Sequence, residues 1–274
     1  MLGKLIKYDF KSLNRYLLIV HAFLLLSAVA VRVFLTEPLN VNFFDSEANG
    51  MIFMGIFILY TLIIVGTSFA TCILVAVRFY KNLYSDEGYL TFTLPVTRSQ
   101  LLLSKTIAGT VWVFINTFLV FMCMAIVIWT SEVSAGYHAN DEKVLEALGF
   151  TGAYANLTFS KVILFLLLVA LVEAISTVTT IYASVAIGQL FQGHRIVGAV
   201  ASYFGLTTIT SVIMYVLFIA LGLFSFRDPT FLVNQSSIGY MIDTFKISGI
   251  LSIITAVLLY TVTYMLMKKK LNLS

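Results

Sequence analysis

The sequence predicts an all-α polytopic membrane protein: one transmembrane domain over residues 1–274, with six spanning helices, an N-terminal amphipathic interfacial helix and both termini cytoplasmic. Three observations carry this. First, 60% of the 274 residues are hydrophobic and only 11% are charged. A globular domain carries roughly 25% charged residues, so most of this chain's surface must face lipid. Second, six apolar runs, at about 16–35, 51–77, 107–129, 160–188, 196–224 and 248–267, reach the ~20 residues that a helix needs to cross the hydrocarbon core. Third, the 17 lysines and arginines are unevenly divided, twelve on the side that holds both termini and five on the other. The positive-inside rule makes the richer side cytoplasmic.

The chain begins with an amphipathic stretch. At about 100° per residue, Leu2, Leu5, Ile6, Phe10 and Leu13 share one face, while Lys4, Lys7, Lys11 and Arg15 share the opposite one. Residues 1–15 therefore read as a helix lying on the inner leaflet before the chain turns into the membrane. Asp9 falls on the apolar side and calls for a partner. Ala28-Val29-Ala30 resembles a cleavage site, but the amphipathic segment ahead of the apolar run does not suit a signal peptide.

Between the second and third spans lies "YSDEGYLTFTLPVTRSQLLLSK", residues 84–105. Thr97 and Gln100 have the spacing of a capping box, which starts the third span's helix near Arg98, and Pro95 supports that boundary. Ser85, Asp86 and Glu87 suit the start of a short helix, with acids at its positive end. Gly88 permits a tight turn or a close backbone approach. Leu90, Phe92 and Leu94 are apolar side chains in a cytoplasmic loop. They either dip into the lipid interface or insert into a groove on another protein.

The largest external segment, 130–159, contains "NDEKVLEALG". Asn140 can cap a short helix there, Asp141 and Glu142 suit its first turn, and Gly149 suits its end. The loop after Phe224 is similar in size, and neither loop is long enough for a folded soluble domain.

In the fourth span Glu173 lies 12 residues after Lys161 and 16 before Gln189, near mid-membrane. A carboxyl at that depth is costly and usually faces a bundle interior or a cavity. Thr177, Thr180, Ser184 and Gly188 follow at helical spacing, with Ser176 beside them. Two readings are open: close helix–helix packing, or the lining of a translocation path, which are compatible where a path runs along a subunit interface. In the fifth span Gly198, Ser202 and Gly205 form a small-residue face suited to packing.

No catalytic set is present in the sequence. A GxxxxGK[ST] loop that would hold nucleotide phosphates, HExxH and GxSxG are all absent from it. His21, His138 and His194 are scattered over a span, an external loop and an internal loop. Cys72 and Cys123 sit in apolar runs without a CxxC or Cys/His pattern and read as packing residues. The basic excess follows membrane topology and does not indicate nucleic acid.

Residues 78–105, "RFYKNLYSDEGYLTFTLPVTRSQLLLSK", together with the six-span layout, resemble the membrane (permease) subunit of a type-2 ABC exporter, of the kind encoded apart from its ATPase in Gram-positive bacteria. The resemblance implies that this stretch holds the coupling helix, which docks into a cleft of the ATP-binding subunit through Asp86, Glu87, Gly88, Tyr89, Leu90, Phe92 and Leu94. It implies two copies of a separate ATPase, a second membrane subunit (identical or a paralogue) and a bacterial plasma membrane. ATP and Mg would bind the ATPase, and this chain would bind no cofactor. Closure of the ATPase dimer would drive an outward-directed change. Amphipathic or hydrophobic peptides are the expected cargo, since the sparse external chain offers no binding domain. The alternatives are export of drugs or lipid-linked molecules, or a secondary transporter. The last would bring several intramembrane ionisable residues and broken helices, whereas Glu173 alone is clearly deep.

Overall fold

The computed structural model describes residues 2–36, 47–93, 95–129, 131–150, 154, 156–191, 193–223 and 237–269. They form α1 (Leu2–Thr36), α2 (Glu47–Tyr84), α3 (Asp86–Thr93), α4 (Arg98–Ile128), α5 (Ser131–Ala139), α6 (Asp141–Ala147), α7 (Phe159–Gly188), α8 (Arg195–Ala220) and α9 (Ser237–Lys269), with no strand among the described residues. Six of these, α1, α2, α4, α7, α8 and α9, are long and apolar enough to cross a membrane. In lipid a backbone must satisfy its own polar groups, which a helix does within one segment.

Most of the long helices exceed the predicted apolar runs, although α8 ends at Ala220, short of the predicted 224. α2 continues past Arg78 and Lys81 to Tyr84, and α9 starts at Ser237 where the apolar run starts near 248. The 38 residues of α2 span about 57 Å at 1.5 Å per residue, nearly twice the ~30 Å hydrocarbon core. The spans therefore carry helical extensions outside the bilayer, and α3 hangs from one of them.

The N-terminal segment differs from expectation. No turn separates an interfacial helix 1–15 from the first span, because α1 runs unbroken from Leu2 to Thr36. No glycine or proline lies between residues 4 and 36 to interrupt it. The predicted faces do appear: Lys4, Lys7, Lys11 and Arg15 are exposed, and Leu13 is buried. The apolar face, however, meets protein. Phe10 stacks on Trp112 of α4 with ring centroids 5.1 Å apart, and Leu13 and Leu17 join the same cluster.

The centre of the bundle is α7, which packs against α9, α8, α4 and α2. The main core joins Val75 and Phe79 of α2, Leu102 of α4, Val178 and Tyr182 of α7, and Met267 of α9. Phe79 and Tyr182 stack at 3.8 Å. α8 is the most peripheral span, with Gly198 its one buried residue. The large apolar side chains exposed along α1, α2 and α8 suit surfaces bathed in acyl chains rather than water.

Between α4 and α7, the described residues hold two short helices, α5 and α6, where the sequence reading named one. α6 begins after Asn140, and Gly149 follows its end at φ +87°, a left-handed conformation that glycine adopts without strain. Asn140 does not cap α6 with its side chain. It donates instead to the Gly136 carbonyl of α5 at 3.3 Å, since α5 ends immediately before it. Residues 224–236, which the sequence reading assigns to a second external loop, lie outside the described residues.

Candidate functional site

The capping box forms as its spacing predicts: the Gln100 N–H donates to Thr97 Oγ1 at 3.2 Å, and the Thr97 N–H donates to Gln100 Oε1 at 3.3 Å. α4 therefore starts at Arg98, and the short stretch before it connects back to α3. Within α3, the buried Gly88 donates its N–H to the Ser85 carbonyl at 2.7 Å, which ties the helix start to the end of α2. Glu87 accepts from Arg78 at 3.5 Å and from Asn82 at 3.4 Å. Arg78 in turn donates to Ser12 of α1 at 2.8 Å.

The apolar residues of α3 do not act together. Tyr89 and Leu90 are 69% and 70% exposed, so both project outward. Phe92 turns back against the main core, its ring 6.0 Å from the Arg98 guanidinium. Arg98 donates to the Met267 and Lys268 carbonyls, each at 2.9 Å, and so satisfies acceptors that the last turn of α9 leaves open. α3 is thus tied to α1 and α2 through Glu87 and Arg78, and to α4 and α9 through Phe92 and Arg98. The Asp86 side chain and all of Leu94 lie outside the described residues. Sequence reasoning placed Arg98 only as a cytoplasmic cation, because its partner is 169 residues away.

Two buried polar nodes go beyond the sequence reading, which marks Asp9 as needing a partner without naming it and does not single out Asn116. Asp9 accepts from Lys105 Nζ and from Ser104 Oγ, both at 2.8 Å, while the Tyr182 hydroxyl donates to the Lys105 carbonyl at 3.0 Å. This joins α1, α4 and α7 around a buried ion pair. Deeper along α1, His21 contacts the Leu17 carbonyl at 2.7 Å and Asn116 Oδ1 at 3.2 Å. Asn116 also receives Thr71 at 3.3 Å and donates to Ser68 at 3.2 Å, tying α2 to the same network. The signal for the second node is the misfit of Asn116 within a span.

The stripe on α7 is divided. Glu173 accepts a hydrogen bond from the Ser248 hydroxyl of α9, and Ser176 pairs with Thr255 at 2.9 Å. Glu173, Thr177 and Thr180 line a polar groove of about 230 Å³, to which α8 contributes Thr207, Thr210 and Ser211. Ser184 does not reach it. That hydroxyl donates to the Ile181 carbonyl at 2.7 Å, and the residue borders an apolar hollow of about 260 Å³ towards α2 and α8. Gly188 serves close packing: a Cβ there would stand 2.5 Å from the Ala199 backbone nitrogen of α8. The small face of α8 is only partly used, since Gly198 sits against Phe191 whereas Gly205 meets open space.

Among the described residues no group of three or more His, Cys, Asp or Glu side chains could hold a metal ion. No family model, curated protein or solved structure matches this chain.

Proposed function

We propose that this protein is the permease subunit of an ATP-driven ABC exporter, pairing with a second membrane subunit to export amphipathic or hydrophobic peptides, powered by a separate ATPase that docks on α3. The observation that carries the reading is α3 itself. It is an eight-residue helix between two long membrane helices, with Tyr89 and Leu90 directed outward, Glu87 bonded to α2, and Phe92 turned back towards Arg98 and the main core. A protein bearing on Tyr89 and Leu90 displaces a helix bonded to α2 and linked through Arg78 to α1 and through Phe92 and Arg98 to α4 and α9, which is what a coupling element requires. Tyrosine is among the side chains that most often anchor a protein in a partner's pocket.

The contacts also define the cleanest test. Glu87→Lys would place a cation beside Arg78 and disturb the protein's own packing, so Tyr89 and Leu90 are the better targets. In native membranes, a bifunctional crosslinker attached at Leu90→Cys is expected to capture a phosphate-loop ATPase. The double change Tyr89→Ala/Leu90→Ala is expected to weaken co-purification of that ATPase about tenfold or more, equivalent to ~1.4 kcal/mol, while all six spans still insert. Capture of no ATPase, or undiminished association in the double variant, rejects α3 as the coupling element.

A further inference from the structure

We infer that the groove between α7, α8 and α9 binds the ammonium or guanidinium group of a cationic amphipathic ligand, with Glu173 as its counter-charge. The inference deepens the exporter reading and rests on it for the ligand's role as cargo. The binding itself is argued from the groove alone.

Glu173 lies at the middle of α7, where 14 residues precede it and 15 follow it within Phe159–Gly188. An intramembrane carboxyl in this position normally pairs with a cation or faces a cavity. Among the described residues, no ion pair reaches it. The nearest lysine in sequence on α9, Lys246, is engaged with Asp243 at 3.2 Å. Ser248 supplies one hydrogen bond, whereas a carboxylate offers about four acceptor sites on its two oxygens.

Glu173 sets the sign of the guest, and several hydroxyls around it are turned to accept. Thr180 donates to the Ser176 carbonyl at 2.8 Å, Thr207 to the Tyr203 carbonyl at 2.9 Å, and Thr210 to the Leu206 carbonyl at 2.6 Å. Ser248 gives its proton to Glu173. These four hydroxyl protons are committed within the protein, so each of these four offers a guest its oxygen lone pairs. A carboxylate with accepting hydroxyls beside it favours a multiply donating cation and disfavours an anion. The groove's volume of about 230 Å³ is many times that of a single water and admits such a group with the first methylenes of its chain. Leu251 and Met214 flank the polar residues, and α8 is the span most exposed to lipid, so the apolar remainder of the ligand has a surface to follow.

The full-length chain in zwitterionic phosphatidylcholine nanodiscs, without any ATPase, is titrated with dansylcadaverine, a primary ammonium with an apolar fluorophore, and with its N-acetylated, uncharged form. Wild-type protein is expected to bind the ammonium form saturably and about tenfold or more tightly than the acetylated form. Glu173→Gln should collapse that ratio to about one, and Glu173→Asp should retain a preference. Should Glu173→Gln fail to fold, Thr207→Leu decides, because the Thr207 hydroxyl bonds only its own helix and leucine there fills the groove; its binding should fall severalfold. Equal affinity for the two probes in wild type, a retained preference in Glu173→Gln, or unchanged binding in Thr207→Leu overturns the proposal. So does displacement by sodium chloride beyond that by choline chloride at equal ionic strength, which would assign the site to an inorganic cation. Loss of the charge preference with the ATPase still captured at Leu90 would remove this site and leave the exporter reading, and the reverse result would do the opposite.

Discussion

The side chains of Asp9 and Lys105 are only 14% and 5% exposed and lie 2.8 Å apart. Removing two charges from water costs several kcal/mol each, and their attraction offsets this only when the geometry is good and the remaining valences are satisfied. Ser104 meets the second carboxylate oxygen, which fits that requirement. Losing one partner leaves the other charge buried and alone. Asp9→Leu or Lys105→Met is therefore expected to cost about 3–5 kcal/mol, seen as a lower unfolding midpoint in detergent. The double variant Asp9→Leu/Lys105→Met should recover most of the loss. A double variant as unstable as the sum of the two singles would show that the pair is not what these residues contribute. Lys105 thus belongs to the protein interior, although its position beside a predicted span boundary reads as that of a loop cation.

At the scale of elements, the boundaries follow local signals and the joints between helices do not. Thr97 and Gln100 are three residues apart, and both capping bonds form, so the start of α4 is readable from four consecutive letters. The α7–α8 joint depends on Gly188 meeting the Ala199 backbone 11 positions later. Gly188→Val would place a branched side chain where even one methyl group stands 2.5 Å from that nitrogen. Backbone cannot yield as a flexible side chain can, so the two helices must separate. The expected outcome is a lower unfolding midpoint and faster hydrogen exchange in the turn joining α7 to α8. Gly205→Val, at a position open on all sides, should change neither. Equal behaviour of the two variants would show that close approach at Gly188 does not hold the joint.

At the scale of the whole molecule, the topology rests on charge. Twelve of the 17 lysines and arginines sit on the side of the termini, and each near a membrane surface biases it towards the cytoplasm. With single cysteines placed in intact cells, Lys4→Cys and Lys268→Cys are expected to resist a membrane-impermeant maleimide, whereas Lys143→Cys in the external segment should react. The opposite pattern would invert the protein and place α3 outside, beyond the reach of any cytoplasmic ATPase.

The sequence by itself determined the elements: six apolar helices, a short helix after Ser85, a capped start at Arg98 and a carboxyl at mid-span. Each depends on composition over a window or on bonds within about four residues, and such information is local. Tertiary structure alone decided which faces meet. Asp9 found Lys105 across 96 residues, Glu173 found Ser248 across 75, and Arg98 found Met267 across 169. It also set Ser184 apart from the groove that the α7 stripe predicted, and laid the N-terminal apolar face on Trp112. The physical reason is that acyl chains are as apolar as leucine, so hydrophobicity marks a helix as membrane-spanning without saying which side packs. That choice belongs to the few small and polar side chains, and their complements lie on other helices.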